Sequence, residues 1–463
     1  MKVLPVLIIL ILLGGCTAMQ PTDPYKPVEW NGPPSPEYSP ADRRLKIPEG
    51  ALTLQQAIET ALENNPEVAA RGWDASAADA RRDHASGARL PRLGVVGQYN
   101  HHLDEQRLIS ARRDGEPGIF TRDVVSSDLV LSVPIFTAGR LDNEVKAAEL
   151  LRQAALQRLA RSREELVFNV SSVFYSMLSQ RYVIESLLFS RKALEEHVKR
   201  IDALVAAKKA AKVDRMRTDV RLADIEQKLV REKNLLSIQQ RILANLLGLK
   251  GSDVELFPSG ELELQEKYPV PSLEAALSRA WKSRGDYKAA RSSLEAQAKK
   301  VDSARSGGWP TVSVQGKYGG RFAVGSTSGA GDKQTDAGQV GLVMEVPVFD
   351  GGRVDANIRE QQANLNAAQE RLRLLNLHVR LEVESALLDV QSSRERASAI
   401  RKSITQAKES LRIEQQKYNL GRGTIVDVLE AQAALLESET TYYRVLGEYH
   451  TAIAHLKLAM GSE

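Results

Sequence analysis

Two stretches of this chain carry the same punctuation. Val133-Pro134-Ile135-Phe136-Thr137-Ala138-Gly139-Arg140 and Val346-Pro347-Val348-Phe349-Asp350-Gly351-Gly352-Arg353 each close an alternating apolar run and open a long helical one. Proline has no N–H for a ladder, so Pro134 and Pro347 suit strand ends. Gly139, Gly351 and Gly352 permit a sharp turn out of a sheet. Asp350 can accept hydrogen bonds from the first free N–H groups of the next helix. From Arg140 to about Val205 there is neither Pro nor Gly, and the run after Arg353 is equally unbroken. A strand feeding straight into a very long helix, twice in one chain, leaves few folds open.

Leu141, Val145, Ala148, Leu151, Ala155 and Leu159 begin a stripe in the first run. It recurs about every 3.6 residues, where a two-stranded coiled coil would drift toward 3.5. The helix is therefore expected to run nearly straight and to pack on both sides. At 1.5 Å per residue it spans on the order of 100 Å. The charged fraction of 26 % supplies its solvated faces. The net charge of +4 is small for 463 residues and gives no argument for nucleic acid.

The chain repeats itself. Leu54, Ala57, Ala61, Glu67 and Ala70 match Leu273, Ala276, Ala280, Asp286 and Ala289, all shifted by 219, as Pro91 matches Pro310. Beyond the hairpins the shift is 213: Pro134 to Pro347, Asp214 to Asp427, Gly248 to Gly461. The change falls in a loop between strands, where length can vary. Repeat 1 is read as 51–248, with a β-hairpin over about 91–136, a long helix over about 139–205 and a return helix over about 213–247. In that hairpin, 101–121 reads as a polar loop and the second strand as about 123–136. A proline-bearing connector covers 249–271, and repeat 2 covers 272–463. Its hairpin lies at about 310–349, its long helix at about 353–420 and its return helix at about 424–460.

The N-terminus reads as a signal peptide over 1–15: Met1-Lys2, an apolar run from Val3 to Leu13, then Gly14-Gly15-Cys16. Small residues directly before a Cys resemble the bacterial lipobox, which implies cleavage before Cys16 and acylation of its sulfur and new amine. Thr17 stands where an inner-membrane retention signal usually has Asp, so the resemblance favours outer-membrane delivery. Cys16 is the sole cysteine, so no internal disulfide can form. Residues 16–50, with eight of the 18 prolines, read as an acylated tether.

Each hairpin has one apolar and one hydrophilic face. Val312, Val314, Gly316 and Tyr318 alternate with Thr311, Ser313, Gln315 and Lys317. Four strands are too few to close a barrel, and open edges with an apolar face invite aggregation. In lipid the edges must close. Several chains giving four strands each would close them, with the apolar face on lipid and the hydrophilic face lining a wet lumen. The charged helices, far longer than a bilayer, must project into water. The expectation is a mixed α+β, mostly α fold with two tandem repeats, part membrane barrel and part helical barrel.

The chain resembles the TolC-like outer-membrane efflux proteins, especially their lipoprotein multidrug-pump branch. The likeness covers the whole mature chain. It rests on the two strand-to-helix signatures, the duplication, and Lys417-Tyr418-Asn419-Leu420-Gly421-Arg422-Gly423-Thr424-Ile425-Val426-Asp427-Val428-Leu429-Glu430-Ala431-Gln432, which is similar to the family's second periplasmic hairpin tip. The resemblance implies a homotrimer in outer-membrane lipid of a Gram-negative bacterium. It implies a twelve-stranded transmembrane barrel continuing into a long periplasmic α-barrel. A periplasmic adaptor and an inner-membrane pump would dock below, with no cofactor.

The tips carry the gate in that family. Asp427 and Glu430 lie three apart, on one helix face, and three copies would ring the narrow end with carboxylates. Asp214 holds the matching place in repeat 1. The alternative for Asp427 is a helix-start residue after the Gly421–Thr424 turn. Tyr418 matches a tip tyrosine that helps hold the closed state. An arginine important for closure in some members would fall at Gly423, and here Arg422 is its neighbour. Gly421, Arg422 and Thr424, with Lys208 and Lys209 of the first tip, are candidates for adaptor contact and gating. Lys208 stands where repeat 2 has Gly421, so tight turning there is expected to differ. His101-His102 with Asp104 and Glu105 have metal-ligand composition, but no zinc spacing appears and no metal site is assigned. No phosphate loop or nucleophile elbow appears, so no enzymatic activity is expected. A coiled-coil periplasmic adaptor or scaffold lipoprotein is the competing reading. It would lack two amphipathic hairpins placed symmetrically between helices.

Overall fold

A computed structural model describes residues 51–109, 119–208, 211–249, 256–266, 268–324 and 334–461. The signal peptide, Cys16, the tether and Lys209 lie outside these. The described residues form one compact unit within 48–463.

Strand β1 (Ala51–Leu52) leads into helices α1 (Leu54–Asn64) and α2 (Pro66–Gly87). Local chemistry sets the boundaries. Thr53 and Gln56 form a reciprocal capping box at the start of α1. Asn65 then accepts from Glu67 N and Val68 N, with Pro66 at the first helical position. Strands β2 (Arg92–Ile109) and β3 (Ile119–Phe136) form the first hairpin. Helices α3 (Arg140–Ala206) and α4 (Lys212–Leu246) complete repeat 1. In the connector, β4 (Phe257–Pro258) pairs parallel with β1. Repeat 2 runs α5 (Leu273–Ser283), α6 (Gly285–Arg305), β5 (Thr311–Val324), β6 (Gln334–Glu345), α7 (Arg353–Asn419) and α8 (Ile425–Met460).

The two hairpins merge into a single antiparallel sheet of order β2-β3-β5-β6. The joint is β3 against β5, from Asp123 opposite Val324 to Phe136 opposite Val312. One edge of β2 and one of β6 have no strand partner among the described residues. One sheet face is apolar and exposed: Val95 (72 %), Tyr318 (61 %) and Val340 (79 %) lie on it. On the other face Ser126, Asp128 and Ala323 are buried.

The sheet departs from the sequence reading at two places. The loop expected over 101–121 is shorter, because β2 continues to Ile109 and β3 begins at Ile119. Ladder pairing satisfies the backbone whatever the side chain, so cross-strand hydrogen bonding overrides the low strand propensity of this polar run. Register shifts after His101 and after Arg107 interrupt the ladder there. In the second hairpin, β6 ends at Glu345, short of the expected 349. Val348 and Phe349 stand 94 % and 91 % exposed outside the ladder. Pro134, in contrast, stays inside the ladder opposite Ser313, with a bulge just after it. The β2 ladder has already ended at Ser132, so Pro134 sits where β3 has one neighbour, and β6 stops at Glu345 because its partner β5 begins opposite it at Thr311.

The long helices lie side by side in the order α4-α3-α8-α7. Contacts between α4 and α3 include Gln239 Nε2 to Ser176 Oγ at 2.7 Å. Tyr182 of α3 stacks on Tyr443 of α8 at 4.9 Å. Arg396 of α7 pairs with Glu448 of α8 at 2.8 Å. Nearer the sheet, α3 is flanked by α2, through Arg152–Asp79 at 2.6 Å, and by α6, through Arg158–Ser293 at 3.1 Å. This two-sided packing changes which residues are buried. Val145, Ala148 and Leu151 are half-buried, while Ala147 and Ala154 are fully enclosed. Small residues are what closely approaching neighbours on two sides admit. One core joins α5, α7 and α8 through Ala280, Val383 and Leu456. Another joins α3, α4 and α8 through Leu194, Leu229 and Val428. The outer helices each keep a bare apolar stripe: Val213, Met216, Val220 and Val230 on α4, and Leu374, Leu377, Leu381 and Leu388 on α7.

Candidate functional site

The sequence points to two places, the junctions where strand becomes helix and the tips where each helical hairpin turns. At the second junction Asp350 does what its position suggests. It accepts from Gly352 N at 2.9 Å and Val354 N at 2.7 Å. The bond from the Val354 N–H holds its carboxyl below the usual carboxylate range, with Gly352 and Arg353 adding to the effect. Both junctions use two successive left-handed residues: Ala138 (φ 50°) and Gly139 (φ 80°), then Gly351 (φ 68°) and Gly352 (φ 79°). Only glycine takes this conformation freely, so Ala138 stores strain of about 1 kcal/mol.

The second tip is tightly built. Helix α7 ends when Gly421 turns left-handed at φ 68°, with Gly421 N bonded to Tyr418 O at 3.0 Å and Arg422 N to Lys417 O at 2.8 Å. Helix α8 then opens on a capping box. Thr424 Oγ1 accepts from Asp427 N at 3.3 Å, and Asp427 Oδ2 accepts from Thr424 N at 2.9 Å and Thr424 Oγ1 at 2.7 Å. The Thr424 N–H, then its hydroxyl, hold the Asp427 carboxyl below its ordinary range. Asp427 is thus anionic and turned back on its own helix end, while Glu430, one turn on, is exposed. Gly423 packs closely against the end of α7. A Cβ there would sit 3.0 Å from Lys417 Cβ and 3.3 Å from Tyr418 N. Arg422 beside it is exposed.

The first tip takes the same path with different residues. Lys208 adopts φ 58°, the left-handed turn that Gly421 makes in repeat 2. Ala211 starts α4 with no side-chain cap. Asp214 lies 3.8 Å from Arg217. The tips meet at a cleft of about 310 Å³ formed by His197 and Arg200 of α3 with Gln415, Tyr418 and Asn419 of α7. Arg200 reaches Asn419 at 3.2 Å. Burial raises the Tyr418 phenol, and the charge of Asp214 raises it further. Burial lowers the His197 imidazole, with Arg200 adding to it. His197 and Arg200 escaped the sequence reading because nothing in a helix sequence tells which neighbouring helix a polar residue faces.

His101 lies on β2 rather than in a loop, and its Nδ1 is 2.6 Å from Asp123 Oδ1. Among the described residues no group of three possible ligands could hold a metal ion. No described helix is long and apolar enough to cross a membrane.

A family model described as "Outer membrane efflux protein" matches residues 57–249 and 276–462, which are the two repeats. The chain is similar to outer membrane protein TolC of Escherichia coli strain K12, at 24 % identity over 89 % of this chain and 83 % of that one. It is also similar to outer membrane protein OprJ of Pseudomonas aeruginosa, at 26 % identity over 98 % and 94 %. A solved membrane protein from Pseudomonas aeruginosa shares the fold, with a TM-score of 0.75 and 21 % identity over 88 % of this chain and 92 % of that one.

Proposed function

The chain belongs to the outer membrane efflux protein family, and on that premise we propose that three copies close into the exit duct of a tripartite efflux system. The observation that supports this most is the sheet. Four antiparallel strands end in two unpaired edges and expose an apolar face. Such an edge is stable in lipid only when paired. Joining β6 of one copy to β2 of the next satisfies both and gives twelve strands around a wet lumen. The bare stripes on α4 and α7 give the helices the same head-to-tail contact, so one rotation closes sheet and helices together.

In this assembly the helices stand in the periplasm, Cys16 carries lipid, and the tips face a periplasmic adaptor and an inner-membrane pump. Lys208, Lys209, Arg422 and the Gly421–Thr424 turn meet the adaptor. Asp427, Glu430 and Asp214 line the constriction, with Glu430 the freest of them because Asp427 is held by Thr424. Tyr418 and Arg200 hold the closed state. Pro134, Gly139, Pro347, Gly351 and Gly352 mark the level where lipid-facing sheet gives way to water-facing helix.

Extraction tests the assembly. A detergent-stable, heat-sensitive trimer is expected in the outer-membrane fraction. A soluble monomer after removal of the lipid anchor would refute it in favour of a scaffold lipoprotein. For the gate, Asp427→Ala with Glu430→Ala is expected to raise single-channel conductance and weaken block by multivalent cations in planar bilayers. Unchanged conductance and block would take these residues out of the constriction.

A further inference from the structure

A second charged cluster lies in the sheet, apart from the tips, and the duct as described gives it no task. Lys317 and Arg321 lie four apart on β5, hence on one face. Asp128 of β3 stands directly opposite Gly319, midway between them. Its carboxylate is 2.8 Å from Lys317 Nζ and 3.9 Å from Arg321 Nη2, and its side chain is 2 % exposed. Gly319 makes this possible by lacking a side chain. A Cβ there would meet Asp128 Oδ1 at 2.5 Å and the Ser127 carbonyl oxygen closer still. One carboxylate cannot neutralise two cations. Asp128 Oδ1 and Arg321 Nη1 are both buried without a hydrogen-bond partner. Both cations keep about a third of their side-chain surface open. Arg92 and Glu345, also on this hydrophilic face, carry opposite charges, and Arg122, two residues before Val124 on β3, adds a positive one. The cluster itself therefore leaves one positive charge per chain.

We propose that Lys317 and Arg321, seated by Asp128, form a cationic belt inside the sheet end of the duct. The belt favours small anions bearing carboxylate or phosphate groups, against the acidic tips at the other end. This rests on the closed-pore reading. On that reading the cluster repeats around a lumen with low-dielectric walls, where fixed charge sorts ions most strongly. Asp128 is a positioning residue: it fixes where the two cations stand.

The test is the reversal potential of the purified full chain in planar bilayers under a potassium chloride gradient. Lys317→Gln with Arg321→Gln is expected to lower the chloride-to-potassium permeability ratio by about twofold or more. Asp128→Asn is expected to raise it. Lys317→Cys, modified after assembly, changes the charge on a channel that has already folded and conducts, so the shift is read on one and the same pore. A sulfonate-bearing thiol reagent is expected to lower the ratio and a trimethylammonium reagent to restore it, with neither moving the wild type. If channels conduct but neither the double substitution nor the two reagents shift the ratio, the belt is refuted and the pore stands. If neither the wild type nor the Asp427→Ala with Glu430→Ala variant conducts, pore and belt fall together.

Discussion

The two hairpin tips occupy equivalent places in the two repeats and are finished differently. At the second, Gly421 makes the left-handed turn and Thr424 and Asp427 cap the return helix. At the first, Lys208 makes the same turn against its own Cβ, and Ala211 offers no cap although Asp214 stands three residues on. The opposite ends of the return helices differ in the same sense. Asn65 Nδ2 donates to Leu246 O at 2.9 Å in repeat 1. The matching residue, Arg284, donates to Ala459 O at 3.0 Å and also binds Asp286 at 2.7 Å and Glu382 at 2.8 Å. Burial raises the Asp286 carboxyl, and the bonds and charge of Arg284 outweigh this and hold it below its usual range. Duplication kept the backbone plan to the level of single carbonyls, while the side chains that secure each helix end became stronger in repeat 2.

Four comparisons can break or sharpen this contrast. The largest effect is expected at Arg284. Arg284→Ala removes the bonds to Asp286, Glu382 and a helix-end carbonyl, leaving Glu382 to Arg161 at 3.7 Å and Asp286 to Tyr287 N at 2.8 Å, and should cost about 3 kcal/mol. Asn65→Ala should cost about 1 kcal/mol. Thermal melting of the purified protein in detergent would compare them, and equal losses would erase the difference between the repeats. Next, Thr424→Ala should cost about 1 kcal/mol. Ala211→Thr should gain a similar amount by building a box with Asp214, read as slower hydrogen exchange over residues 211–218. Third, Lys208→Gly should relieve up to about 1 kcal/mol and Gly421→Lys should impose it. Exchange at 205–214 against 418–427 distinguishes the tips, and a first tip already as protected as the second would sink the contrast. The smallest effect is in pH. Asp427 has its folded pKa depressed, so its contribution is present above the unfolded value of about 3.9 and is lost as pH falls through the lower folded value. Acid should therefore lower the protection factors at 424–428 in the wild type, read after division by the intrinsic exchange rate at each pH, and Thr424→Ala should remove that acid-dependent part.

Much of this was legible in the chain because it was written in local chemistry. Proline, glycine and apolar period located the long helices, and the offsets of 219 and 213 identified the repeats. The alternation around Val314 and Tyr318 identified the apolar face. What escaped depends on partners distant in sequence. The fate of Pro134 and Pro347 turns on where the neighbouring strand begins, which no local pattern records. Arg161 is buried and bonded to Leu458 O at 2.8 Å, yet in sequence it is one more arginine on a charged helix. In sequence Asp128 is one more polar residue before Leu129, and only the register with Gly319 reveals its role.

Helices α3 and α7 are each 67 residues long. Both start within a few residues of one sheet, and Arg200 near the end of one touches Asn419 at the end of the other. Together they act as a matched pair of struts. A deletion of one helical turn from α3 alone would lift its tip by about 5.4 Å and rotate nothing else into place. It would pull His197 and Arg200 away from Tyr418 and Asn419. Length in this molecule is thus a shared dimension, and a working change of reach requires both struts to be cut together.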